Sequence, residues 1–168
     1  MNQMNRMNFA ARCGFTLVEA MIAMLIIGLT IAALVASTGA FSRTNAAGID
    51  LSTAEFLIEE IRELTASLPI VDPVTGTAAF GPEAGETGLA QCDDLDDFNG
   101  ASYSPPIDIN RAALADFANF TQQVQVRNVA VNNFSAVVAN HSTNFYRVTV
   151  TILMNGSALT SATWIRAR

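Results

Sequence analysis

Four aspartates crowd into five consecutive positions near the middle of the chain: Asp93, Asp94, Asp96 and Asp97. Carboxylate oxygens are the ligands that Ca²⁺ prefers in proteins. Like charges this close repel one another unless solvent, arginine or a cation offsets them. The stretch is not an EF-hand: with Gly100 as the loop glycine, Leu95 and Pro106 occupy the first and last ligand positions, where carboxylates are required.

The acidic loop, residues 81–100, has two interpretations. We expect an exposed acidic turn with Leu95 and Phe98 directed inward. In that turn the aspartates cap backbone N–H groups or pair with an arginine, of which there are three candidates: Arg62, Arg111 and Arg127. Calcium binding is the open alternative, so the role of the loop is unassigned and no metal ligand is predicted.

Residues suited to catalysis are scarce. His141 is the only histidine and stands in the polar run NHSTN, which indicates a surface loop. Cys92 lies beside carboxylates that disfavour its thiolate. Neither has the spacing of a zinc site, and the chain has no P-loop and no GxGxxG motif. We therefore predict no catalytic residue, no cofactor and no enzymatic activity.

One carboxylate, Glu19, stands near the start of an otherwise uncharged apolar run, residues 15–36. As a helix this run is roughly 33 Å long, enough to cross a hydrocarbon core of about 30 Å. A charge at the bilayer centre costs about 2.5–3.5 kcal/mol on insertion scales and usually has a partner. Arg6 and Arg12 precede the run without any acid, which favours a cytoplasmic leader and a single-pass topology with the head on the other side.

Three ordinary explanations of this N-terminus compete. A cleaved signal peptide needs a small-residue site after the run, which residues 36–40 loosely provide. A lipoprotein signal fits poorly because Cys13 precedes the run. A plain signal anchor leaves Glu19 unexplained.

Beyond the apolar run the pattern becomes amphipathic, and residues 37–68 are predicted to continue the helix. Its apolar positions recur at steps of three and four: Leu51, Ala54, Leu57, Ile58, Ile61, Leu64 and Leu68. Pro69 ends the pattern. Because Gly39 and Gly48 weaken a helix, two helices separated near residues 42–48 are the alternative.

Residues 69–168 are predicted to form a globular α+β head. A long loop region is followed by a helix over about 110–120, which Asp108 or Asn110 caps. The alternation in FYRVTVTILM, the turn Asn155-Gly156 and the returning strand containing Trp164 predict a hairpin, with Trp164 in the core. A strand in QQVQVRNVAVNNF changes phase near Asn128, which indicates a bulge. The expected product is an antiparallel sheet packed on the second half of the long helix.

The stretch Gly14-Phe15-Thr16-Leu17-Val18-Glu19, ahead of an unbroken apolar run, resembles the processing site of type IV prepilins and type II secretion pseudopilins. The resemblance implies that residues 1–14 are a leader removed by prepilin peptidase and that the new amino terminus, Phe15, is methylated. It implies that Glu19 neutralises the terminal amine of an adjacent subunit during assembly. The implied fold is pilin-like.

The segments GPEAGET, DDLDDFNG and FYRVTVTI further resemble minor pilins of the mannose-sensitive haemagglutinin (MSHA) pilus system, of the MshD type. This implies partners in other pilins and an inner-membrane assembly platform, and a location in the inner membrane and then in a surface pilus. The alternatives are a minor pseudopilin of a type II secretion system and, in another class, a signal-anchored acidic binding domain. The net charge of −6 and the absence of lysine disfavour nucleic acid as a partner.

Overall fold

The computed structural model describes residues 14–168. The predicted leader, residues 1–14, lies outside the described residues except for Gly14. The chain divides into two compact units with a boundary between Ala46 and Ala47. Each unit is described by itself below.

A single helical element, α1, runs from Leu17 to Ala66. The helix is continuous through residues 42–48, so the alternative of two separate helices is wrong. In the first unit the large apolar side chains of α1 are exposed, Leu25 and Ile31 among them. This part is long and apolar enough to cross a membrane.

The second unit uses the last five turns of α1 as one side of its core. Five positions at helical spacing are buried: Ala54, Leu57, Ile58, Ile61 and Leu64. The predicted amphipathic face is thus confirmed at its centre, whereas Leu51 is 42% exposed. The helix ends ahead of Pro69, as predicted, and Arg166 donates hydrogen bonds to the carbonyls of Thr65 and Leu68 at that end. A cation there complements the helix dipole.

The head contains a five-stranded antiparallel sheet. Its strands are β1 (Ser102–Tyr103), β2 (Phe120–Ala130), β3 (Asn133–Val137), β4 (Phe145–Met154) and β5 (Ser157–Ala167). The order is β1-β2-β4-β5, and β3 pairs with β2. The predicted α+β architecture, a long N-terminal helix followed by an antiparallel sheet, is confirmed.

Alternation along the central strands places one face of the sheet in the core. In β4, Val148, Val150 and Ile152 are fully buried, as their period of two predicts. The β4–β5 hairpin turns at Asn155 and Gly156, whose positive φ angles of 51° and 81° are those of a type I′ turn. Trp164 is partly buried against the core, in line with the prediction.

The change of phase in β2 lies where the strand stops pairing with β4 and continues in pairing with β3. Pairing with β4 is regular as far as Asn128, and the register with β3 shifts between Val129 and Ala130, beside the predicted position. The buried Asn128 amide donates to the carbonyls of Thr143 and Phe145 and accepts from the Thr143 N–H. It thereby fixes the chain that enters β4.

The helix predicted over residues 110–120 is wrong. The structure has a short 3-10 turn at Ala115–Phe117, and Phe120 already begins β2. Asp108 does accept backbone hydrogen bonds, from the N–H groups of Asn110 and Ala112, but these close a turn. Arg111 in this turn has φ of 66°, outside the helical region.

Candidate functional site

The first candidate site is the start of α1, where Thr16 and Glu19 form a capping box. The Glu19 N–H donates to Thr16 Oγ1 at 3.2 Å, and Glu19 Oε2 accepts from the Thr16 N–H at 3.4 Å. The spacing Thr-x-x-Glu is the usual sequence signature of this motif, which the sequence analysis missed. Glu19 therefore has a local role in starting the helix.

Among residues 14–168 the Glu19 side chain is hydrogen-bonded to Thr16 alone. The side chains around it are apolar and exposed, with Phe15, just ahead of α1, at 81% and Val18 at 63%. A carboxylate with long hydrogen bonds on an apolar surface can accept further donors. The arrangement suits a helix that associates with other helices in lipid.

The second candidate site is the acidic turn, residues 93–97, and its burial differs from the expectation. Asp94, Asp96 and Asp97 are buried, whereas Asp93 is exposed. An exposed acidic turn is therefore the wrong description for three of the four aspartates. The physical reason is that Leu95 and Phe98, both at 0% exposure, enter the core as predicted and draw the intervening backbone in with them.

Two backbone contacts, one within the acidic turn and one just after it, hold this segment against the rest of the head. The Leu95 N–H donates to the carbonyl of Pro69, where the chain leaves α1, and the Gly100 N–H donates to the carbonyl of Val124 on β2. The turn thus connects the helix exit to the central strand.

The predicted capping of backbone N–H groups is confirmed. Asp94 Oδ1 accepts from the N–H groups of Asp96 and Asp97, at 2.8 Å and 3.2 Å. Asp97 Oδ2 accepts from the N–H groups of Asp93 and Asp94, at 2.9 Å and 3.2 Å. These bonds use one oxygen of each carboxylate.

The other oxygen of each buried aspartate has no hydrogen-bond partner among the described residues: Asp94 Oδ2, Asp96 Oδ2 and Asp97 Oδ1. Burial raises the pKa of Asp94 to about 7, of Asp96 to about 6 and of Asp97 to about 7. The cause is desolvation of the charged form, which neighbouring carboxylates reinforce.

The predicted arginine pairs do not form within residues 14–168. Arg62 pairs with Glu59 at 2.7 Å, and its guanidinium lies 4.8 Å from the Trp164 ring centre. Arg111 donates to backbone carbonyls, including that of Cys92 at 2.7 Å. The guanidinium of Arg127 lies 3.4 Å from Asn99 Oδ1. No arginine therefore forms an ion pair with the acidic turn in this part of the chain, although, against the larger opposing effect of burial, the charge of Arg111 acts to lower the pKa of Asp93.

His141 is not the surface residue that its polar neighbours predict. Its side chain is 10% exposed and lies between the acidic turn and β4. Nδ1 is 3.0 Å from the Tyr146 hydroxyl, and Nε2 is 2.5 Å from the Ala79 carbonyl and 3.5 Å from Asp96 Oδ2. Because a carbonyl only accepts, Nε2 carries a proton and Nδ1 can accept from Tyr146.

Cys92 is a buried free thiol. Burial, followed by the nearby charge of Asp97, raises the pKa of the Cys92 thiol. The thiol form is therefore favoured at neutral pH, in agreement with the prediction of an unreactive cysteine.

In a comparison with known families, residues 10–35 match the prokaryotic N-terminal methylation motif. The match spans the predicted cleavage site, Glu19 and most of the apolar run. It supports a protein of the type IV pilin-like class. No curated protein and no solved structure was found to match the chain.

Proposed function

We propose that this protein is a minor type IV pilin of the MSHA type, which prepilin peptidase processes and which takes part in pilus assembly or priming. The observation that carries the proposal is the methylation motif at residues 10–35, placed at the start of a helix whose apolar surface is exposed. The head on an antiparallel sheet supports the same class. The MSHA assignment rests on the resemblance of the acidic loop and of the FYRVTVTI strand.

Processing cuts between Gly14 and Phe15 and leaves N-methyl-Phe15 as the first residue. The new ammonium group then lies one helical turn from Glu19, ahead of the Thr16 cap. In the membrane, Glu19 needs a positive partner. The amino terminus of an adjacent subunit provides one, so the pair sets the axial register as a subunit leaves the lipid and joins the filament.

The proposed location follows from charge and hydropathy. The leader faces the cytoplasm, residues 15–36 cross the inner membrane and the acidic head lies in the periplasm until assembly carries it to the cell surface. The partners are prepilin peptidase, the assembly platform and the helices of other pilins, which replace lipid around α1. Filament assembly requires no chemistry from the head.

Mass spectrometry of the N-terminal peptide tests this assignment. The protein is isolated both from sheared surface filaments and from the membrane fraction. A peptide that begins with N-methyl-Phe15 in the filaments is the expected result. The same peptide confined to the envelope favours the type II secretion pseudopilin, and an intact Met1 in both fractions favours a signal-anchored binding domain and refutes the proposal.

Two substitutions at Glu19 separate its charge from its capping bond. Glutamine also serves at the third position of a capping box, so Glu19→Gln keeps the bond to Thr16 and loses only the charge. If charge pairing drives assembly, Glu19→Gln and Glu19→Ala are both cleaved and inserted but enter filaments poorly. Wild-type incorporation of Glu19→Gln, measured in purified filaments, contradicts the charge-pairing role and leaves capping as the function.

A further inference from the structure

The acidic turn contains buried oxygens that the described residues do not satisfy. Asp94 is 1% exposed and Asp97 is 4% exposed. Each has one carboxylate oxygen tied to backbone N–H groups, and one that no donor in residues 14–168 reaches. Buried polar atoms normally have partners, so two unpartnered oxygens in adjacent carboxylates indicate a missing positive ligand.

The carboxylates converge with spacing suitable for an ion. One oxygen from each of Asp93, Asp94 and Asp97 lies within 4.8 Å of the others. Calcium binds oxygen at about 2.3–2.6 Å, so ligand atoms on opposite sides of one ion are separated by about 4.6–5.2 Å. The three oxygens therefore fit around a single Ca²⁺ ion.

We propose that Asp93, Asp94 and Asp97 bind one Ca²⁺ ion. The proposal does not depend on the pilin assignment. An all-oxygen ligand set selects a hard cation and disfavours zinc and copper. Calcium suits the turn better than magnesium because it accepts irregular geometry, whereas Mg²⁺ demands a near-ideal octahedron.

Neighbouring acids support the same ion. Glu83 and Glu86 also bring one oxygen each within 4.8 Å of an oxygen of Asp97, and Glu83 Oε2 is another buried oxygen without a partner among residues 14–168. Their charges raise the affinity of the site, and water completes the coordination. Asp97 and Glu86 line a surface pocket, which provides an entry path for the ion.

The ion would stabilise the packing of elements that are distant in sequence. Leu95 in the turn is already bonded to Pro69, which follows α1, and Gly100 just after the turn is bonded to Val124 on β2. Since no disulfide closes the described part of the chain, an ion that fixes this turn also fixes the helix exit on the sheet. Extracellular calcium modules bind with dissociation constants of about 10⁻⁴–10⁻³ M, the range expected here.

Calorimetry and thermal unfolding of the full chain in detergent micelles test the site. The protein is stripped with EDTA, exchanged into chelator-free buffer and titrated with CaCl₂, and unfolding is followed by the fluorescence of Trp164. One saturable site and a rise in melting temperature are expected, with a weaker response to MgCl₂. Absence of saturable heat together with an unchanged melting temperature at millimolar Ca²⁺ overturns the proposal and indicates that the carboxyl groups share protons instead.

Two variants with the same loss of charge identify the ligands. Asp93 is exposed, so Asp93→Asn leaves the fold intact; we expect it to weaken calcium binding by at least about tenfold, as even outer-shell changes at metal sites do. Asp116→Asn is the control, because Asp116 is exposed and belongs to none of these carboxylate groups. Equal losses in the two variants would indicate non-specific attraction to negative charge and would overturn the assigned ligands.

Discussion

The fully buried Gln122 is the side chain whose replacement gives the sharpest test of the head's architecture. It lies on β2 at 0% exposure. Its Nε2 donates to the carbonyls of Leu57 on α1 and Ile107, at 2.9 Å and 3.1 Å, and its Oε1 accepts from the Ile107 N–H at 2.8 Å. One amide therefore joins the helix, the loop before β2 and the sheet.

The substitution Gln122→Leu keeps the volume and removes all three bonds. The Leu57 carbonyl retains its bond within the helix, but Ile107, at 4% exposure, is left with an N–H and a C=O that lack these partners. Each buried donor or acceptor left without a hydrogen-bond partner lowers the free energy of unfolding by about 1–3 kcal/mol. We therefore expect the free energy of unfolding to fall by at least about 2 kcal/mol, part of the full cost being offset by the added apolar surface.

Urea unfolding of the full chain in detergent, followed by Trp164 fluorescence, measures the loss. Trp164 is the only tryptophan and packs partly buried against the core, so its signal reports on the head. The matched control is Gln123→Leu, the same change on the exposed neighbour in β2, for which about 0.5 kcal/mol or less is expected. Equal stability of Gln122→Leu and Gln123→Leu would refute the reasoning.

Two further predictions concern stability. Because the pKa values of Asp94 and Asp97 are raised to about 7, the folded state holds protons that the unfolded state releases near pH 4. In EDTA the contribution of these two groups to the free energy of unfolding is therefore full below about pH 4 and is lost as pH rises to about 7, by up to about 1.4 kcal/mol per pH unit for each proton retained. Urea unfolding at pH 5 and pH 8 checks this, and a higher stability at pH 8 contradicts it. Leu57 is at 0% exposure, and Leu57→Ala is expected to lower the free energy of unfolding by about 2–5 kcal/mol. Leu51 lies on the same helix at 42% exposure, and Leu51→Ala is expected to lower it by less than about 1 kcal/mol. Similar losses in both variants would show that the buried face of α1 is wrongly assigned.

Elements with a strong local signal were predicted well from the sequence. The apolar run, the amphipathic spacing that ends at Pro69 and the Asn155-Gly156 hairpin each follow from short-range rules of periodicity and turn geometry, and the structure has all three. Local signals failed where they were weak. The segment near Asn110 forms a turn instead of the predicted helix. The Asp108 carboxylate closes this turn by accepting from the Ala112 N–H, and the positive φ of Arg111 is incompatible with a right-handed helix.

The candidate sites also differ in how far a local sequence pattern reveals them. The processing motif around Glu19 is a contiguous pattern, so the sequence alone locates it, and the methylation-motif match over residues 10–35 falls on the same stretch. The capping box of Thr16 and Glu19 was also readable from its spacing. In contrast, the alternation of β2 places Gln122 on the same face as Val124 and Val126, but only the fold decides that its amide meets Leu57 and Ile107.

Composition determined that the turn at residues 93–97 is acidic, but only the tertiary structure decided that it is buried. Leu95 and Phe98 enter the core, and the aspartates between and beside them must follow because the backbone is continuous. The same packing brings His141 within 3.5 Å of Asp96 from a point far along the chain. Burial and long-range contact depend on where distant segments meet, and this is why the sequence supplied the charges and the fold supplied their environment.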